Sequence, residues 1–149
     1  MRSNSKAPAA VRKAFAAWLV AIGAGVFETI LVVVSGRAGD GAAAGVAVRA
    51  VVFAAAVVVA LRMLSGSRWA RLTLTIALGI GGTLSLTVSP ILWLAHGNSL
   101  AHLMAQATAT DMAFGASRVV HIAAVLTGCV LMFVPSANEY FRAVIARSP

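Results

Sequence analysis

Residues Ala14–Val34 read AFAAWLVAIGAGVFETILVVV, and this stretch decides the fold class. At about 1.5 Å per residue, a helix of this length crosses the hydrocarbon core of a bilayer, which is about 30 Å thick. A signal peptide is the alternative, because Arg12 and Lys13 precede the run and Ala21–Gly25 supplies small residues. The run is longer than the usual apolar region of about 7–15 residues, so we interpret it as an uncleaved first span.

The composition extends this interpretation to the whole chain. Of the 149 residues, 60% are hydrophobic and 11% are charged, against about 25% charged in an average soluble domain. A soluble domain of this size cannot bury so much apolar surface. The net charge of +8 lies in the flanks of apolar runs, where it sets orientation. We therefore predict an all-α integral membrane protein that does not bind nucleic acid and whose main partner is the lipid bilayer.

Three further apolar runs complete a predicted four-helix bundle within one transmembrane domain, 14–135. The expected spans are 14–34, 46–64, 72–95 and 112–134. Residues 1–13 form a basic tail, and residues 136–149 form a second tail. Ser136 and Glu139 match a capping box, which predicts a short amphipathic C-terminal helix. Its apolar residues would face lipid; they are Tyr140, Phe141, Val144 and Ile145.

The basic residues predict how the chain is threaded. Nine of the twelve lie in the two tails and the second connection, and three lie in or beside the first and third connections. The positive-inside rule therefore places both termini in the cytoplasm, with the protein in the cell (plasma) membrane.

Glu28 is the one acidic residue within the first span, and an acid inside hydrocarbon is by default a candidate functional group. It lies about 9 Å from the outer end of its helix, and Arg49 lies about 5 Å from the same surface on the second span. Arg118 and His121 begin the fourth span at a similar depth. This intramembrane charge cluster has three interpretations: a structural Glu28–Arg49 pair, a protonated or snorkelling Glu28 without a role, or a proton or cation site.

Small residues form a ridge on the third span, at spacings of three and four. Such ridges allow membrane helices to approach closely. The predicted helix-packing residues are Thr75, Gly79, Gly82 and Thr83.

The remaining polar residues predict no catalytic or metal site. His96 and His102 lack the spacing and the extra ligands of a metal centre. Cys129 is the single cysteine and lies in an apolar run, so we interpret it as a small apolar core residue. No nucleophile motif, phosphate loop or metalloprotease motif occurs in the sequence, so we predict a protein that is not an enzyme and holds no cofactor.

Two motifs resemble a group of small four-span membrane proteins from actinobacteria. They are RWARLTLT at 68–75, which opens the third span, and FVPSANEYFR at 133–142, which closes the fourth. The resemblance implies the same span layout and carries over no catalytic residue.

Two functional hypotheses follow. The first is a non-catalytic accessory or scaffold protein that packs with itself, or with a larger membrane complex, through the ridge. The alternative is a small proton- or cation-coupled transporter that uses Glu28, in analogy with small four-helix drug exporters.

The threading is testable with reporter fusions. We expect alkaline phosphatase to be inactive when it is fused after residue 147 and active when it is fused within the first connection, because the enzyme matures only outside the cytoplasm. An active fusion after residue 147 would contradict the predicted orientation.

Overall fold

The computed structural model describes residues 7–145, apart from 38 and 40, and leaves out four side chains within that range. Several residues of the sequence predictions fall outside this description: Arg2, Lys6, Asp40, Arg147 and the side chains of His102, Val144 and Ile145.

The described chain consists of helices and short connections, with no strand. Four helices are long and apolar enough to cross a membrane, which confirms the predicted all-α four-span class. They are α1 (Ala9–Val34), α2 (Ala42–Leu64), the third span Arg68–Ala95, and α6 (Ala109–Phe133). The third span consists of α3 (Arg68–Thr73), a π-helical segment (Leu74–Gly82) and α4 (Thr83–Ala95). Two short helices complete the fold, α5 (Leu100–Gln106) and α7 (Pro135–Ile145).

All four spans begin three to five residues before the predicted starts. Apolar character marks where a helix enters hydrocarbon, whereas a helix starts where the backbone leaves its extended or left-handed conformation. Pro8 and Ser67 are extended before α1 and α3, and Gly41 has φ +91° before α2. The predicted bounds mark where the chain would enter hydrocarbon and the helix bounds mark backbone geometry, so each helix begins about one turn before its predicted span.

The predicted capping box at Ser136 and Glu139 was wrong. Val134 is extended and Pro135 is the first residue of α7, where its fixed φ suits a helix start. The capping box that the structure contains lies at the start of α6, where the Asp111 amide donates to Thr108 Oγ1 and the Thr108 amide donates to Asp111 Oδ2.

The helices pack antiparallel, and their tightest contacts lie in one half of the bundle. We call this the terminal half, because it holds the start of α1 and the helix α7. Trp18 of α1 is 1% exposed, and its ring lies so close to α6 that a Cβ at Gly128 would be 3.0 Å from its Nε1. Buried side chains from α1, α2, the third span, α6 and α7 form one cluster there.

Helix α7 contributes to this cluster and does not turn its aromatic residues toward lipid. Phe141 is fully buried, and the Tyr140 hydroxyl donates to the Leu64 carbonyl across 3.0 Å. The last carbonyls of α2 have no hydrogen-bond partner within the helix. The Tyr140 hydroxyl supplies one for Leu64, and this bond holds the Tyr140 side chain against the bundle. The predicted lipid-facing side of α7 is therefore corrected for both residues.

The other half, which we call the distal half, is loosely packed. None of the described side chains of α4 is buried, and α4 makes few contacts with the other spans. The small-residue ridge turns inward at its start, because a Cβ at Gly79 would lie 3.1 Å from Cys129 Sγ of α6.

The contact between Trp18 and Gly128 is testable by overpacking. Gly128→Leu should destabilise the protein by about 1–3 kcal/mol, because its side chain must displace a buried indole. Gly115→Leu is the matched control, since it lies on the same helix with open space at its Cβ. Both variants gain helix propensity equally, so the difference in their unfolding free energies in mixed micelles isolates the clash. Equal stabilities would contradict the packing described.

Candidate functional site

A cavity of about 440 Å³ lies between the spans and extends from Trp18, at the edge of the terminal half, into the distal half. This volume is within the range of small-molecule pockets, about 300–1,000 Å³. All four members of the predicted charge cluster line it: Glu28, Arg49, Arg118 and His121. Its walls also carry three aromatic side chains, namely Trp18, Phe53 and Phe114.

The antiparallel arrangement brings the polar residues to one level. Glu28 lies near the end of α1, Arg49 lies near the start of α2, and Arg118 and His121 lie in the first half of α6. Neighbouring helices that run in opposite directions place the end of one beside the start of the next. The Ser117 hydroxyl, buried between α1 and α6, donates to the Ala24 carbonyl across 3.3 Å and helps to fix this register.

The ion-pair partner of Glu28 is Arg118, whereas the first of the three sequence interpretations paired Glu28 with Arg49. Glu28 Oε2 lies 4.0 Å from Arg118 Nε. At that separation the contact is a Coulombic pair without a hydrogen bond. Glu28 is 13% exposed and Arg118 is 43% exposed, so the carboxylate is the deeper of the two. Arg49 is exposed on the cavity wall. The reason for the error is that comparable depth on two helices does not fix which faces they present to each other.

Several buried polar atoms at the cavity have no hydrogen-bond partner among the described residues. Glu28 Oε1, Arg118 Nε and His121 Nδ1 belong to this set, and Trp18 Nε1 joins them on the same wall. Buried polar atoms in proteins are almost always bonded. A set of orphaned donors and acceptors around one cavity therefore favours a polar occupant over a dry interior.

The small-residue ridge is divided between two surroundings. Thr75 and Gly79 lie at the contact with α6, where Cys129 approaches. Gly82 lines the cavity, and the buried Thr83 Oγ1 has no partner in the described structure. The ridge therefore packs within the chain, where the sequence interpretation expected it to serve association with other chains.

A second, more open cleft of about 960 Å³ adjoins the cavity. The two share three lining residues, Val32, Phe114 and Arg118. The short helix α5 lies in the third connection, and its Leu100, Leu103 and Met104 line this cleft. Arg118 thus lies at the boundary between the cavity and an opening beneath α5.

An ion pair that the sequence interpretation missed closes one edge of the cleft. Arg37 Nη2 donates to Asp111 Oδ1 across 2.8 Å, which joins the first connection to the start of α6. The guanidinium also lies 5.6 Å from the Phe114 ring centre. Opposite charges in two separate connections were visible in the sequence, but only the fold places those connections side by side. The pair is well exposed, so water and salt screen it and it adds little to stability.

The lining residues define the chemistry that the cavity favours. Two guanidinium groups and one carboxylate leave an excess of positive charge, and Arg remains charged even when it is partly desolvated. Aromatic and aliphatic side chains make up most of the remaining wall. Such a site suits a small anion with an apolar body, because each guanidinium can bond both oxygens of a carboxylate.

Comparisons of this chain with protein-family models, with curated proteins and with solved structures find no match. The resemblance to small four-span actinobacterial proteins therefore stays a prediction, and the site is interpreted from its own geometry.

Proposed function

We propose that this chain is a non-catalytic multi-pass protein of the cell membrane that binds a small, partly apolar anion in the distal cavity. The observation that carries the proposal is the meeting of Glu28, Arg49, Arg118 and His121 on one cavity wall, with orphaned polar atoms among them. With both termini in the cytoplasm, the cavity lies toward the outer face of the membrane.

Charge supports an anion over the cation of the original transporter hypothesis. A cation would approach one carboxylate that already faces Arg118, and a second guanidinium lines the same wall. Like charges in a medium of low dielectric constant repel strongly. An anion instead meets two cations, and it competes with Glu28 for Arg118.

Transport is an extension of the same proposal. A proton-coupled carrier would exchange partners at Arg118, since a proton taken up by Glu28 would release the guanidinium to a substrate anion. Uptake of labelled 4-bromobenzoate into proteoliposomes, with and without an imposed pH gradient, separates a carrier from a protein that only binds.

Binding is testable through the fluorescence of Trp18, which lies on the cavity wall. The design uses a Trp69→Phe/Trp93→Phe background, so that Trp18 is the one remaining tryptophan. We expect 4-bromobenzoate to quench it saturably in nanodiscs. Arg118→Gln and Arg49→Gln should each weaken binding at least about tenfold, because each removes a charge-assisted hydrogen bond. Glu28→Gln should strengthen binding, because it removes the competing carboxylate.

Matched probes provide the controls for this experiment. Neutral 4-bromobenzamide has a similar shape and partitions into lipid, so it reports quenching that does not depend on charge. If 4-bromobenzylammonium quenches more strongly, and Glu28→Gln abolishes its effect, the anion proposal is wrong and the cation hypothesis is favoured.

The accessory hypothesis remains as a second candidate, but with a different contact surface. The ridge packs against α6 of the same chain, so it cannot serve an outside partner at Thr75 and Gly79. Helix α4 exposes large apolar residues instead; they are Leu84, Val88, Ile91, Leu92, Trp93 and Leu94. Association with a second copy or with another membrane protein would use the side of α4 that carries Leu84, Val88 and Ile91, which are spaced four and three residues apart.

Cysteine cross-linking tests self-association through α4. In a Cys129→Ala background, Ile91→Cys should form a disulfide dimer in native membranes if copies meet at α4. Val51→Cys is the matched control, because it is an exposed apolar residue on α2. Equal cross-linking at both positions would indicate random collision, and no cross-linking at Ile91 would contradict self-association by this face.

A further inference from the structure

The two motifs that resemble other small membrane proteins lie far apart in the chain and meet in the terminal half. RWARLTLT begins the third span, and FVPSANEYFR leads into α7. Arg71 Nη2 donates to Asn138 Oδ1 across 2.7 Å, and Asn138 Nδ2 donates to the Phe133 carbonyl across 2.8 Å. Both polar groups of Asn138 are therefore engaged, and Arg71 is tied to the beginning of α7.

Arg71 is held between aromatic rings and not by an acid. Its guanidinium carbon lies 3.9 Å from the ring centre of Phe133 and 5.0 Å from that of Phe141. Its Nε is buried and has no hydrogen-bond partner among the described residues. Stacking and one amide contact fix the orientation of this cation, but they do not neutralise its charge.

Two more arginines face the same small cleft. We call this cleft the arginine niche; its volume is about 220 Å³ and its lining consists of Arg68, Arg71, Leu72, Asn138 and Arg142. Both ion pairs of the described structure lie in the distal half. Within the described residues, three guanidinium groups therefore converge without a carboxylate partner, and their mutual repulsion favours an anion between them.

We propose that the arginine niche binds a phosphate group at the membrane surface. Guanidinium groups match phosphate oxygens in geometry and charge, and basic clefts between membrane helices at the cytoplasmic side suit anionic headgroups. Apolar surface for an acyl chain lies beside the niche, since Leu72 is 52% exposed and Trp69 is 56% exposed. The phosphate can therefore belong to a lipid headgroup or to a soluble phosphate compound.

The experiment uses the full chain in detergent and two phosphate probes. Native mass spectrometry measures retention of phosphatidylglycerol, with phosphatidylcholine as the zwitterionic comparison, and inorganic phosphate is titrated separately. Arg68→Gln/Arg142→Gln removes two exposed arginines of the niche and leaves the half-buried Arg71 in place. We expect this double variant to lose about fivefold in affinity for each arginine removed.

Arg12→Gln/Arg62→Gln is the matched control. It removes the same charge from exposed positions in the terminal half and leaves the niche intact. Loss of phosphatidylglycerol in the niche variant alone supports a lipid headgroup site, and loss of inorganic phosphate binding in that variant alone supports a soluble phosphate compound. Equal losses in the two double variants would overturn the proposal. So would an intact protein that retains phosphatidylglycerol no better than phosphatidylcholine and does not bind inorganic phosphate.

Discussion

Trp18 of α1 lies against Gly128 of α6, and the rest of the structure depends on the close approach of these two helices. An indole occupies the space that a side chain at position 128 would otherwise fill, so α1 and α6 meet along much of their length. The same register sets Ser117 beside the Ala24 carbonyl and Glu28 beside Arg118. Since lipid provides no hydrophobic driving force between helices, such steric fit and the interhelical hydrogen bonds must hold the bundle together.

Tight packing in the terminal half and loose packing in the distal half give the bundle two different ends. In the terminal half, α7 and the start of α1 close the bundle, and the arginine niche forms on its surface. In the distal half, α4 leaves space between the spans, and the charged cavity forms there. Both candidate sites carry more cations than carboxylates among their lining residues, so both favour anions, at opposite ends of the bundle.

The sequence predicted the polar members of the cavity but not how they pair. Apolar spans of known length place Glu28, Arg49, Arg118 and His121 at comparable depths, because rise per residue is a local property of a helix. The rotation of each helix about its axis depends on contacts with the other helices. Residue depth alone therefore could not predict that Glu28 pairs with Arg118. No feature of the sequence marks Phe53 and Phe114 as cavity residues, since phenylalanine is an ordinary residue of apolar runs.

The sequence by itself determined the all-α class, the four helices long and apolar enough to cross a membrane, and the polar residues within them, because the cost of unsatisfied backbone groups in hydrocarbon permits few folds. The sequence also indicated a C-terminal helix, but an amphipathic pattern does not show whether the apolar face of the helix packs against lipid or against the bundle. Only the tertiary structure decided that Phe141 turns inward, that Gly79 packs on α6, and that Arg71 meets Asn138. These outcomes depend on contacts between residues far apart in the chain, and no local pattern encodes which surfaces will meet.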